Sequence, residues 1–188
     1  PTTGGYSYAS ELVEGIRAYQ GSNSFRRSRG LETTDRFFCI GVGGYPEKHF
    51  EAANIETDIL NLKKKIDAGA DYIITQMFFD NNLLYNFLYK IREQGITVPI
   101  VPGIMPITNA NQVERAMKLS GSFMPQRFKS LVDRFGSIPA AMKQAGIAFA
   151  TEQIIDLIAN GVNNIHIYAM NKPDVAREIQ QNISEIIK

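Results

Sequence analysis

The sequence predicts an α/β fold with parallel strands, and three observations carry that prediction. One phrase occurs three times, in which a helical pattern stops at a glycine and an apolar strand follows within a few residues. Gly69 precedes Tyr72-Ile73-Ile74-Thr75-Gln76, Gly95 precedes Val98-Pro99-Ile100-Val101-Pro102, and Gly161 precedes Ile165-His166-Ile167-Tyr168. Helical and strand patterns alternate with short connections, which calls for parallel strands joined by right-handed crossovers. A hydrophobic fraction of 44% over 188 residues supplies one buried core. Residues 1–188 therefore read as a single domain, either a doubly wound sheet or a (β/α) barrel.

Residues 8–19 carry a helical pattern, and Ser22, Asn23, Ser24 and Arg26-Arg27-Ser28-Arg29-Gly30 read as a polar connector after it. Residues 37–42 are nearly continuously apolar and end in Gly43-Gly44-Tyr45-Pro46, as expected of a strand covered on both faces. Cys39 inside that run is expected to be a small buried thiol. Ile55, Ile59, Leu62 and Ile66 then recur at helical steps, with Asp58, Asn61 and Lys65 on another face. Further helices are expected over about residues 81–94, 109–119, 125–135, 139–160 and 173–188. Seven residues beyond the three glycines lie Gln76, Pro102 and Tyr168, a register that sets all three at the carboxyl ends of strands.

The nearest approach to a dinucleotide-binding glycine phrase is Gly41-Val42-Gly43-Gly44, but Tyr45-Pro46 follows where a phosphate-binding helix would start. That fold is discounted. Four strands are half the number that closes an eight-stranded barrel, which typically takes roughly 250 residues.

Twenty Lys and Arg against 19 Asp and Glu leave a formal charge of +1, so no bulk field draws nucleic acid or an acidic membrane. Any anion site must be local. A single cysteine permits no intramolecular disulfide, and no apolar run approaches the roughly 20 residues of a membrane span. A reducing, cytoplasmic setting is the expectation. With two histidines and no HxxH, HExxH or CxxC spacing, no metal site is expected.

Functional groups of parallel α/β folds gather at the carboxyl ends of strands. Gln76 offers both a donor and an acceptor, which suits a neutral heterocycle and equally suits a plain strand-end hydrogen bond. Tyr168 could wall a pocket or simply fill the core; alternation puts it on one face with His166 and Met170, opposite Ile165 and Ile167. His166 reads as a satisfied interior residue, and His49 as an exposed loop histidine beside Tyr45. Lys63-Lys64-Lys65 is either a solvated helix face or part of a nucleotide site. In the second case Asp58 accepts from a ribose hydroxyl, Asn61 contacts a base or sugar, and Lys64 or Lys65 meets a pyrophosphate.

Several phrases, taken in order, resemble one family. They are Gly43-Gly44-Tyr45-Pro46-Glu47-Lys48-His49, then Asp58-Ile59-Leu60-Asn61-Leu62-Lys63-Lys64-Lys65-Ile66-Asp67-Ala68-Gly69-Ala70, Ile74-Thr75-Gln76-Met77-Phe78-Phe79-Asp80, Pro102-Gly103-Ile104-Met105-Pro106 and His166-Ile167-Tyr168-Ala169-Met170-Asn171. The linked set is similar to the methylenetetrahydrofolate reductases. The resemblance implies a (β/α)8 TIM barrel bearing FAD, which uses NADH or NADPH to reduce 5,10-methylenetetrahydrofolate to 5-methyltetrahydrofolate in one-carbon metabolism and methionine biosynthesis. Residue by residue, it implies FAD contacts at Tyr8, Ala9, Tyr45, His49, Ala52, Asp58, Asn61, Lys64 and Lys65. It implies pterin or nicotinamide contacts at Gln76 and Gln112, a nicotinamide-nucleotide contact at Lys172, and a pocket wall at Tyr168. Ala116 stands where some relatives carry a bulky apolar residue that stacks on substrate.

The same resemblance places the family's general-acid glutamate and its flavin-proximal aspartate, the latter in an Arg-Gly-Asp segment, ahead of Pro1. Thr2-Thr3-Gly4-Gly5-Tyr6 looks like the loop after that segment. The chain is thus expected to be the C-terminal half of the barrel, active once the amino-terminal half is supplied and otherwise prone to self-associate. The alternative is a non-catalytic half-barrel that acts as a binding or assembly partner.

Overall fold

The computed structural model describes residues 4–30 and 37–188; the expectations for Thr2 and Thr3 lie outside the described residues. Two helices come first, α1 (Ala9–Gly21) and α2 (Asn23–Arg29), and then β1 (Gly41–Gly44), α3 (Ile55–Asp67), β2 (Tyr72–Thr75) and α4 (Asn81–Glu93). After these come β3 (Ile100–Val101), β4 (Gly103–Ile104), α5 (Asn111–Ser120), α6 (Gln126–Phe135), α7 (Pro139–Ala159), β5 (His166–Ile167) and α8 (Pro173–Asn182).

Local chemistry sets these boundaries. The Asn54 side chain accepts the Thr57 N–H at 2.7 Å to open α3, and Asp80 accepts the Asn82 N–H at 2.9 Å to open α4. The expected polar connector after α1 is instead the helix α2, because Ser22 accepts the Phe25 N–H at its start and Gly30 ends it at φ 64. Phe25 is the buried anchor of this helix, and its ring meets both Phe37 and Phe38. The last helix stops at Asn182 rather than running to the terminus.

Among the described residues, all strand pairs are parallel. β1 pairs with β2 from Gly41↔Tyr72 to Gly44↔Thr75, β2 pairs with β3 at Ile73↔Ile100, and β4 pairs with β5 at Gly103↔His166. β3 and β4 are consecutive stretches of one path, broken at Pro102, which has no N–H to donate. Its carbonyl still accepts from the His166 N–H at 2.9 Å, and the buried Thr75 hydroxyl oxygen accepts from the Gly103 N–H at 2.9 Å. These two bonds carry the path from β2 to β5 across the break at Pro102. This corrects one part of the sequence register: Gln76 and Tyr168 do lie just past strand ends, but Pro102 sits mid-path.

The expected strand over residues 37–42 also shifts, to Gly41–Gly44. Residues 37–40 run ahead of it, where the Ile40 N–H is taken by Asp71 Oδ2 at 2.7 Å and the Ile40 carbonyl accepts the Asp71 N–H at 2.8 Å. Cys39 is consequently exposed, not buried.

The sheet has one covered and one open face. Val42, Ile73, Ile100 and Ile104 join Ile59, Leu62, Leu84, Phe87, Ile91, Ile147, Ile154, Leu157, Val175 and Ile179 in the main core, so α3, α4, α7 and α8 all pack on that side. A second core of Met77, Phe79, Met105, Ile107, Ala116, Phe128, Met142 and Phe149 lies beyond the carboxyl ends of the strands, under α5, α6 and α7. Among the described residues, no helix is long and apolar enough to cross a membrane.

Candidate functional site

The open face bears a concavity of about 270 Å³ lined by Gly41, Val42, Gly43, Gly44, Tyr45, Ile74, Gln76 and Tyr168. Period-two alternation explains the lining, because Ile73 and Thr75 point into the core while Ile74 and Gln76 point the other way. Gly103 makes room for the Tyr168 ring that lines it. A Cβ there would overlap the Thr75 carbonyl and the Tyr168 ring, whose hydroxyl donates to that same carbonyl at 3.0 Å. The His166 ring stands edge-on to Tyr168, with centroids 4.5 Å apart, so the predicted common face of these two residues is observed. Met170 has left that alternation, since it adopts φ 49 in the turn that follows.

One wall is the loop from β1 to α3. The Tyr45 ring lies edge-on to the His49 ring at 4.6 Å, and the His49 N–H donates to Oδ2 of the buried Asp58 at 2.9 Å. Lys48 takes φ 119, a left-handed conformation that is costly for a side-chain-bearing residue, and its ammonium donates to the Ala52 carbonyl at 2.6 Å. From α3, Lys65 Nζ reaches back to donate to the Gly43 carbonyl at 3.0 Å, and lies 5.9 Å from the Tyr45 ring centre. Burial lowers the Lys65 pKa, and the Asp58 carboxylate acts in the opposite direction. Burial likewise raises the Tyr45 phenol, reinforced by Asp58 and Glu51, and raises Tyr168, reinforced by Tyr45. Both phenols stay protonated, hydrogen-bonding walls.

The three consecutive lysines separate by helical position. Lys63 pairs with Asp67 at 2.9 Å on the solvent side, Lys64 donates to Asn61 Oδ1 at 3.3 Å in an exposed pair, and Lys65 alone points to the loop. Gln76 sits at the strand end, with its backbone N–H on the Gly44 carbonyl at 2.8 Å and its Oε1 accepting the Met77 N–H at 3.0 Å.

A second group forms past β4. The Thr108 hydroxyl accepts from Lys172 Nζ at 3.2 Å and donates to Gln112 Oε1 at 3.3 Å, while the Thr108 N–H donates to the same oxygen at 3.0 Å. Gln112 and Lys172, sixty positions apart in sequence, are thus joined through one threonine. Tyr8 and Ala9 open α1, where Glu11 accepts the Tyr8 N–H at 3.1 Å. Tyr8 is 71% exposed, and no hydrogen bond or ring contact among the described residues joins it to the Tyr45 loop. Ala116 is fully buried in the second core rather than on the open face.

Sequence reasoning passed over two members of this arrangement. Thr108 was given no role, although its place between Pro106 and Asn109, just past a strand, was a usable signal. Glu47, within the phrase that runs from Gly43 to His49, accepts the Phe123 N–H at 2.7 Å.

Comparison with known proteins meets this geometry. The family model described as methylenetetrahydrofolate reductase matches residues 1–184. Methylenetetrahydrofolate reductase 1 of Schizosaccharomyces pombe is 35% identical over 179 residues, covering 95% of this chain and 27% of the yeast protein. Methylenetetrahydrofolate reductase (NADH) 1 of Zea mays is 35% identical over 192 residues, covering 97% of this chain and 30% of the maize protein. The chain thus spans less than a third of the length of these curated relatives. Among solved structures, an uncharacterised protein from Clostridium thermocellum that binds two copies of 5-methyl-5,6,7,8-tetrahydrofolic acid aligns with a TM-score of 0.57. At 18% identity, over 79% of this chain and 54% of that one, it supports the α/β fold. With its family model matched nearly end to end and parallel strands carrying the quoted phrases, this chain belongs to the methylenetetrahydrofolate reductase family.

Proposed function

We propose that this chain, a single domain over residues 1–188, is the C-terminal half of a (β/α)8 TIM barrel in an FAD-dependent, NAD(P)H-driven methylenetetrahydrofolate reductase. The observation that carries the reading is the Tyr45–His49–Asp58–Lys65 arrangement beside the open concavity, at the carboxyl end of a parallel sheet. The residues fit a flavin dinucleotide. Lys65 is a partly buried cation whose present partner is a backbone carbonyl, a bond that a pyrophosphate oxygen can replace with a stronger, charge-assisted one. Asp58, buried and holding the His49 N–H with Oδ2, has its other carboxylate oxygen for a ribose hydroxyl, with Asn61 and Lys64 at the exposed margin and Ala52 beside the loop. Gly43 leaves backbone free of a side chain on the open face, where a planar ring can approach, with Tyr45 and His49 flanking it. Tyr8 and Ala9 are proposed as a further cofactor contact from the start of α1.

FAD bound there supplies the hydride relay between the nicotinamide and the folate. The chain's own groups bind and orient. Gln76 presents a neutral donor and acceptor to the pterin or nicotinamide, Gln112 and Lys172 grip from the Thr108 side, and Tyr168 closes the wall. NADH and NADPH both occur in relatives' names, in Zea mays and in Caenorhabditis elegans, so either donor is consistent with the family. The proton that opens the folate's imidazolidine ring is assigned to the amino-terminal half, as is the flavin-proximal aspartate. Cytoplasmic residence, and association with that half or with further copies, belong to the same reading.

The test is anaerobic flavin spectroscopy on the purified protein. A yellow protein whose flavin bleaches with NAD(P)H and recovers with methylenetetrahydrofolate is the expected result. A colourless protein, inert after FAD is added and the amino-terminal half supplied, would overturn it in favour of a non-catalytic half-barrel.

A further inference from the structure

Glu47 lies on the β1–α3 loop between Tyr45 and His49, and its carboxyl reaches a distant part of the chain. One oxygen accepts the N–H of Phe123, 76 residues along the chain, at 2.7 Å. The other is buried. Phe123 belongs to the connector between α5 and α6, where Gly121 turns the chain at φ 66 and the Ser122 hydroxyl donates to the Met77 carbonyl at 2.8 Å. Tyr45, Glu47, Gln76, Met77, Ser120 and Ser122 therefore line one closed recess, so three segments of the site meet at this carboxyl. Burial raises its pKa, the Phe123 N–H and the Ser122 hydroxyl oppose that shift, and Asp80 adds to it.

A carboxyl held in such a recess carries a desolvation cost. An apolar side chain of similar size would fill the recess without that cost, so packing alone does not account for a glutamate here. What the carboxyl provides is a directional tie across 76 residues. The far side of the same loop is fixed by Asp58, which holds the His49 N–H. Between the two ties, Lys48 is held at φ 119.

Resting on the flavin reading above, we propose that Glu47 is a positioning residue: its carboxyl latches the β1–α3 loop to the α5–α6 connector and so fixes where Tyr45 and His49 stand. The latch acts through those two residues and does not touch the reacting atoms. It couples the segment that carries the proposed flavin contacts to the segment that follows the helix bearing Gln112.

Amide hydrogen exchange on the parent, Glu47→Ala and Glu47→Gln tests this. In Glu47→Ala the Phe123 and His49 amides should both exchange faster, by roughly three- to tenfold, the protection that one net hydrogen bond confers. Glu47→Gln keeps an acceptor oxygen and should restore both. Should Glu47→Ala fail to fold, Phe123→Pro removes the donor instead and should speed His49 exchange in the same way. Faster exchange at Phe123 with His49 at the parental rate would reduce Glu47 to a local contact and overturn the proposal. FAD titration separates this from the functional reading: weaker uptake by Glu47→Ala with recovery in Glu47→Gln supports the latch, and equal uptake by all three refutes it. If none of the three proteins takes up FAD even with the amino-terminal half supplied, the functional reading falls, and the exchange data alone decide on the latch.

Discussion

Lys65 shows how helical position sorts neighbouring residues that composition treats alike. Its neighbours Lys63 and Lys64 are engaged with Asp67 and Asn61 in exposed pairs, whereas Lys65 reaches the Gly43 carbonyl beside the concavity. Lys65→Ala should weaken FAD retention while leaving the stability of the cofactor-free protein nearly unchanged, because alanine is the best helix former and Ile59, Leu62 and Ile66 keep the packing stripe. Equal FAD affinity in parent and mutant, measured by fluorescence quenching at moderate salt, would return Lys65 to the solvated face. Gln76→Glu should keep the flavin and damage reaction with folate, since a carboxylate keeps the shape, loses the donor and brings charge to a neutral ligand. Stopped-flow traces with both half-reactions at parental rates would remove Gln76 from the substrate site. Asp58 and Lys65 were legible as candidates from helical spacing, whereas Tyr45 and His49 were legible as such only through the family resemblance. Glu47 was not, because no local spacing reports a partner 76 residues away.

Elements with a strong period were legible, and the weakly patterned ones were not. The stripe of α3 and the long apolar α7 showed plainly, since each buries a face or a whole helix in the core. The seven residues of α2 carry no such stripe, and their polarity hid two end signals that were present, Ser22 at the start and Gly30 at the close. The third strand was legible as a strand, but its division at Pro102 was not, because the repair comes from a different strand: Thr75 lends its hydroxyl to Gly103. Thr75→Val tests that repair. It is nearly isosteric, deletes the acceptor and leaves a buried N–H without its partner, so it should cost about 1–3 kcal/mol, read from urea unfolding. An unchanged unfolding midpoint at constant slope would show that the β2–β4 junction does not depend on this bond.

At the scale of the molecule, the sheet is covered on one side only. Helices close the outer face, while the concave face that holds Gly43, Ile74, Gln76 and Tyr168 stays open. Among the described residues, β1 and β5 each have a strand neighbour on one side alone. A groove of about 580 Å³ beside β5 is lined by Ile154, Ile158, Ile165, Ile167 and Ile183. Soluble proteins pair or cover such edges. The central claim, that these strands are one wall of a larger parallel barrel whose carboxyl edge forms the site, meets its most direct test in the chain alone. Size-exclusion chromatography with light scattering, run with a hydrophobic dye, should show self-association or strong dye binding. A monomer of 21.0 kDa that unfolds cooperatively and binds no dye would contradict the account.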